Sequence, residues 1–487
     1  MSRKTQVVLV ALLVAVTVQA ATLGNLAPYV IGGLLVTVNV GAVLWSMRRR
    51  HPPAGAGAAR LVAPLTVAWL VVSILPSHNF STRSSADATS SAGLQPTLEL
   101  VMTMGVGFVA LASIRALEPS LDRSRPPIYL LHLPIWVMAT SAWSVTAPYA
   151  TVRGLQMLAI CLLAWATVAV GRFDPAALRT IVERFLRWFV WVTLALCVLG
   201  VAFGPRYVAI ARSNRGRFTW IGAHPTGSGL ILGVALVIAV AASGRVLRMP
   251  PLVQAGAAVA LAAAMYDNHS RAAWIGLGAA LVTALALRGF VSWIVRRIGV
   301  PVALAGVVAG LYYHGSAVWE YMLRDRDSDS FATGNGRKEL WGIGFRALDT
   351  AFDWVFGLGY GVTRTLFIPE APWAGEAHSS VLAFLVSAGL VGVLIFVATL
   401  GRTVVDVIRV RMWALGAAGA ALASMLVLVV VNGMTSDILA EPHTGFAILY
   451  LVAAVALARL QEPVRHAHPY TSDGALTFDD AGTGSGP

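Results

Sequence analysis

Long apolar runs, broken at nearly regular intervals by short polar stretches, set the pattern of this chain up to about residue 460. A run of about 17–25 residues can cross the hydrocarbon core of a bilayer as a helix. Such runs fall at 6–23, 26–47, 60–76, 97–117, 128–146, 154–171, 186–204, 223–242, 251–267, 271–288, 298–314, 378–400, 412–432 and 442–460. The pattern predicts an all-α polytopic membrane protein with about 14 transmembrane helices, because only helices satisfy every backbone group within one apolar segment. No small-residue cleavage site of convincing form follows the first run, which reads as an uncleaved span behind Ser2-Arg3-Lys4.

One polar interruption is much longer than the rest. Between 315 and 377, Trp341, Phe345, Leu348 and Phe352 recur at helical spacing while Lys338, Glu339, Arg346, Asp349 and Asp353 point elsewhere. The spacing predicts an amphipathic helix on the membrane surface, starting near Gly336 with Asn335 as its cap. Gly357, Gly359 and Gly361 follow. No strand pattern precedes them, so they read as residues of a tight turn or close packing rather than as a phosphate loop. Glu376 and His378 stand directly before the next apolar run.

Composition agrees with the pattern: 57% of residues are hydrophobic, 12% are charged and mean hydropathy is +0.72, more apolar sequence than a soluble core could hide. The net charge of +13 comes from basic clusters in alternate connections, such as Arg48-Arg49-Arg50, Arg172/Arg179/Arg184, Arg288/Arg296/Arg297 and Arg402/Arg409/Arg411. That distribution is an orientation signal and argues against nucleic acid as a partner. It places both termini in the cytoplasm and 24–25, 77–96, 147–153, 205–222, 268–270, 315–377 and 433–441 outside. Cys161 and Cys197 lie inside apolar runs and read as core residues, not as a disulfide or a thiolate metal site. The expected organisation is N-terminal transmembrane helices over 1–127, a central core with an arginine-rich external loop over 128–314, an extracytoplasmic catalytic loop over 315–377, C-terminal helices over 378–460 and a disordered cytoplasmic tail over 461–487.

The external loop 205–222 breaks the charge rule, carrying Arg206, Arg212, Arg215 and Arg217 with no carboxylate. Guanidinium forks bind phosphate oxygens bidentately, so this loop suits an anionic ligand at the outer surface. Four polar clusters share that face: Arg215/Arg217 with His224, Asp267-Asn268-His269-Ser270-Arg271, Arg337, and Glu376/His378. Arginines can hold a diphosphate and stabilise the charge that develops as it leaves, and His378 with Glu376 beside it can take the proton of an attacking hydroxyl. Transfer from a diphosphate-activated donor without metal or other cofactor fits these parts. Asp325/Asp327/Asp329 alternate like a calcium loop but lack its glycine and terminal glutamate.

Several stretches, in order, resemble the O-antigen ligase and Wzy-type polymerase family: SAWSVTAPYATVRG at 141–154, RFTWIGAHPTGSG at 217–229, NHSRAAWIGLG at 268–278, GRKELWGIG at 336–344, GLGYG at 357–361 and HSSVLAFLVSAGLVG at 378–392. The resemblance covers about Leu130 to Gly401. It implies a GT-C-like, metal-independent glycosyltransferase of the bacterial plasma membrane. Such an enzyme moves a glycan from undecaprenyl diphosphate to an acceptor hydroxyl on a glycan or glycolipid at the extracytoplasmic face. It carries over Arg217, Arg271, Arg337 and His378, and the family's usual histidine-asparagine pair stands here as His378-Ser379; together with the polar clusters this makes His378, Arg337, Arg271 and Glu376 the catalytic candidates and Arg215, Arg217, His224 and His269 the substrate-binding ones. A transporter or flippase of lipid-linked glycans is the alternative. It is disfavoured because nearly every charge lies at a predicted helix end rather than at mid-membrane. A transferase using an acidic residue in its first external loop is weakened by the lack of any carboxylate between Gly24 and Pro28.

Overall fold

The computed structural model describes residues 56–75, 94–117, 127–203, 217–220, 223, 225–289, 337–367, 369–370, 377–442 and 444–461, with 305, 315 and 316 as isolated positions. The expected spans 6–23 and 26–47, nearly all of 298–314, Asn335 and the tail beyond 461 lie outside these residues. The described residues are mostly helical (85%), and no strand occurs among them.

Fifteen helices among the described residues carry the architecture: α1 Ala56–Ile74, α2 Leu94–Leu117, α3 Ile128–Ala139, α4 Ala147–Phe173, α5 Pro175–Phe203, α6 Pro225–Ala241, α7 Gly244–Leu247, α8 Pro251–Asn268, α9 Arg271–Gly289, α10 Arg337–Arg346, α11 Ala351–Phe356, α12 Val362–Phe367, α13 Ser380–Arg409, α14 Ala417–Met434 and α15 Thr444–Leu460. Among the described residues, four segments are long and apolar enough to cross a membrane: Tyr149–Phe173, Pro175–Ala202, Ser380–Arg409 and Ala417–Met434. Shorter apolar helices, among them Ala58–Ile74, Pro225–Ala241 and Thr444–Leu460, pack between and around them.

Helix α15 is the central pillar. Every residue from Thr444 to Ala458 is buried, as expected for a helix that is apolar on all sides. Its neighbours include α4, α13, α14 and α1. Helix α6 is nearly as enclosed and packs against α8, α9 and α14. Small residues allow the close approaches: a Cβ on Gly276 of α9 would come within 2.9 Å of the Leu428 carbonyl oxygen of α14, the kind of contact that holds helices together where the hydrophobic effect supplies little drive. Inside the bundle Trp69 Nε1 of α1 donates to Thr167 Oγ1 of α4 at 2.9 Å.

Several elements depart from the sequence reading, and the expected span 128–146 is an α-helix only to Ala139. The segment 147–153 is not a loop: α4 begins at Ala147, with Pro148 in its first turn where a missing N–H costs nothing. Helix α5 begins at Pro175, well before 186, because Asp174 Oδ1 accepts from the N–H groups of Ala176 and Ala177 and starts it early. The single amphipathic helix near 336–353 is two helices. Thr350 opens α11 with a capping box, its hydroxyl accepting from Asp353 N and the Asp353 carboxylate accepting from Thr350 N, and this stops α10 at Arg346. Leu340 and Ile343 of α10 face the protein, while Trp341, Phe345 and Phe352 are 39%, 46% and 50% exposed, so the aromatic face looks away from the core.

Helix α13 is broken at Gly389, whose φ of 68° and ψ of −172° leave the helical region. The carbonyls freed at the break are taken by neighbours: Leu358 N donates to Val386 O at 2.9 Å and Gly359 N to Ser387 O at 3.0 Å, and Trp136 Nε1 donates to Ala388 O at 3.0 Å. A helix interrupted at membrane depth is tolerated where other protein groups re-satisfy its backbone.

Candidate active site at one end of the bundle

The first half of α13 ends, towards its N-terminus, at the histidine singled out in the sequence. His378 is half-buried and has φ of 53°, a left-handed conformation uncommon for a residue with a side chain. Neighbours on both sides hold it there. Trp341 Nε1 of α10 donates to Ala377 O at 3.3 Å. Ser380 Oγ donates to Ser436 O at 2.7 Å and accepts from Leu439 N at 3.2 Å. The turn between α14 and α15 is thus fastened directly to the start of α13.

That turn carries two buried carboxylates, Asp437 and Glu441. Glu441 N donates to Asp437 O at 3.2 Å, which closes a single turn between the two residues. Asp437 acts on Arg337, the first residue of α10: burial lowers the arginine's pKa from its ordinary value, and the Asp437 carboxylate opposes that fall. Arg337 stays cationic, because a guanidinium does not lose its proton at physiological pH. Glu441 faces a different arginine. Arg153 Nη2 lies 4.0 Å from Glu441 Oε2, with Arg153 Nη1 donating to Gln156 Oε1 at 2.8 Å and Nε to the Tyr149 hydroxyl at 3.0 Å. Because α4 starts at Ala147, Arg153 sits nearly two turns inside a membrane-length helix.

The glycine run locks these pieces together. Gly357, Gly359 and Gly361 all have positive φ, and their lack of a side chain lets the loop touch backbone and ring: Gly359 lies against Ser144, and Gly361 against the Tyr149 ring. Tyr360 N donates to Thr140 Oγ1 at 3.0 Å, Thr146 Oγ1 donates to Tyr360 O at 3.1 Å, and the Tyr360 hydroxyl donates to Ala440 O between the two carboxylates.

A second corner forms around the other arginines. Arg217 Nε donates to Asn268 O at 2.8 Å and Phe218 N to Asp267 O at 2.8 Å. The Asn268 amide in turn donates to Phe218 O at 2.7 Å and Ser228 Oγ at 3.0 Å. His269 terminates α8 with φ of 53°, and Arg271 opens α9. Hydrogen bonds therefore join Arg217 to Asn268 at the His269–Arg271 turn, and fasten both α10, the helix of Arg337, and the α14–α15 turn to the His378 segment. The tight packing of α9 on α14 connects the two corners. Arg215, His224 and Glu376 lie outside the described residues. Among the described residues, no three His, Cys, Asp or Glu side chains stand close enough to share a metal ion.

Residues 256–397 match the O-antigen ligase family. The matched O-antigen ligase region includes Arg271, Arg337 and His378 together with the glycine run and the break at Gly389. Arg217, Arg153, Asp437 and Glu441 lie beyond it and are brought to it by the fold. No curated protein sequence matches the chain. The match supports a ligase- or polymerase-type role in cell-surface glycan biosynthesis, and helices among the described residues are long and apolar enough to cross a membrane.

Arg153, Asp437 and Glu441 escaped the sequence reading. The available signal was ionisable residues at the margin of apolar runs, and a charge within a membrane-length helix reads by default as functional. Placing Arg153 in a loop removed that signal.

Proposed function

We propose that the protein is a metal-independent glycosyltransferase that moves a glycan from an undecaprenyl-diphosphate-linked donor to an acceptor hydroxyl. The end of the bundle bearing Arg337 and His378 faces outward from the bacterial plasma membrane in this reading, with both termini cytoplasmic. A complete set of about 14 spans and a GT-C-like architecture belong to the same proposal. The observation that carries it is a half-buried arginine, Arg337, on the helix whose Trp341 is bonded to Ala377 next to His378, inside the stretch that matches the O-antigen ligase family.

In the reaction, the acceptor oxygen attacks the anomeric carbon of the donor's first sugar, the bond from that carbon to the diphosphate oxygen breaks, and undecaprenyl diphosphate leaves with the bonding electrons. Arg337, Arg271 and Arg217 balance the charge that grows on the leaving diphosphate. Fixed cations in a water-poor site do this at little reorganisation cost. His378 accepts the proton of the acceptor hydroxyl, with Glu376 next to it in sequence. Half-burial raises the worth of each guanidinium–phosphate contact by lowering the local dielectric.

The test is turnover of undecaprenyl-diphosphate-linked oligosaccharide by the purified chain in lipid discs, with and without chelator. Transfer that persists in chelator supports the reading. Movement of intact donor between leaflets without bond cleavage would replace it with a flippase.

A further inference from the structure

The α14–α15 turn sets the Glu441 carboxylate against Arg153, a buried arginine from a distant part of the chain, and the contact is loose. Arg153 is a fixed cation: Tyr149 and Gln156 hold Nε and Nη1 at 3.0 and 2.8 Å, its guanidinium carbon lies 5.0 Å from the Tyr149 ring centroid, and that ring is wedged by Gly361. Glu441 meets it at only 4.0 Å, longer than the roughly 2.7–2.9 Å of a charge-assisted hydrogen bond. Both side chains are about nine-tenths buried, with 8% and 11% of their surface exposed. The turn that bears Glu441 is itself tied to the His378 segment through Ser380 and to the glycine loop through Tyr360. A rigid buried guanidinium therefore faces a carboxylate at loose range, beside the residues assigned above to the donor.

We propose that Arg153 is a further diphosphate-binding arginine and that Glu441 is its resident counter-ion, a positioning residue that the donor's anionic group displaces and that returns when the product leaves. This rests on the diphosphate-donor reading. The physical reason is a conflict between binding and turnover. A buried arginine without a counter-charge is costly to the empty protein, and one that gains its only compensation from diphosphate holds the product as tightly as the donor. A carboxylate at loose range removes both difficulties. It neutralises the empty site, and it lowers the net gain on binding diphosphate so that undecaprenyl diphosphate can depart.

The experiment measures inhibition of glycan transfer by undecaprenyl diphosphate and by inorganic pyrophosphate, using the full chain in lipid discs. Pyrophosphate reports on the diphosphate group alone, the lipid product on the whole leaving group. Glu441→Gln should lower both inhibition constants by about tenfold and lower donor KM and kcat together, with product release slowed. Arg153→Gln should raise both constants. A merely structural role for Glu441 gives no route to tighter binding, so unchanged or raised inhibition constants in Glu441→Gln overturn the inference. If the glutamine variant does not fold, Glu441→Asp keeps the charge but withdraws it by one methylene, and should shift the constants the same way by about two- to fivefold; no shift overturns the inference equally. Wild-type protein that neither diphosphate inhibits would remove the donor reading itself.

Discussion

Replacing Gly389 by alanine should detach the glycine loop from α13 and disable the His378 end of the protein. The backbone at Gly389 has φ 68° and ψ −172°, a region essentially reserved for glycine, where a side chain costs ~1–3 kcal/mol. An added Cβ would also lie 2.5 Å from Gly357 N and closer still to the Val355 carbonyl oxygen. Backbone cannot swing aside as a side chain can, so the break must close or the loop must move. Either way the bonds from Leu358 N, Gly359 N and Trp136 Nε1 are at risk, each worth about 0.5–1.5 kcal/mol net. The sum is roughly 3–7 kcal/mol, a large share of the stability of an ordinary domain. A shift of about 1 Å at the reacting groups costs on the order of 100-fold in rate. Gly401→Ala is the internal control: it lies in the same helix with nothing within 4 Å of an added Cβ, and should gain ~0.5–1 kcal/mol from helix propensity. Thermal unfolding in lipid discs and glycan-transfer rates, measured side by side, check both. A Gly389→Ala protein with wild-type unfolding temperature and rate would refute the steric reasoning.

Arg337→Ala should reduce kcat/KM by about 10²–10³, whereas Arg337→Lys recovers only part because the bidentate fork is lost; steady-state kinetics with the lipid-linked donor reads both. His378→Ala should keep donor binding and lower kcat by about 10²–10⁴, the range typical of a lost general base, as single-turnover rates alongside donor binding will show. Thr350→Ala removes the capping box of α11 and should cost about 1 kcal/mol, visible as faster amide exchange over 351–356 with little change in donor binding.

The helices were legible because long apolar runs in a bilayer have few other solutions, and the spans that fall within the described residues overlap helices, although some ends are well displaced, as at Pro175, Ala139 and Arg409. The motif arginines and His378 were legible as candidates because their neighbours are distinctive in sequence. The carboxylate side of the site was not. Arg153 and Glu441 stand 288 positions apart, and only the return of α15 through the bundle centre brings them together. Helix starts were misplaced where polar residues begin a helix, at Ala147 and Pro175, because hydropathy marks membrane depth rather than helix ends. The amphipathic pattern over 336–353 has the right period throughout, and the break at Thr350 depends on two hydrogen bonds that periodicity does not register.

The most direct test of the central claim is a stoichiometry: undecaprenyl diphosphate released against glycosidic bonds formed, by purified protein given a lipid-linked oligosaccharide and an acceptor glycan or glycolipid. A ratio of one diphosphate lipid per new bond, lost in Arg337→Ala and His378→Ala, is the predicted result. Release without bond formation, or bond formation that survives both substitutions, would contradict the account.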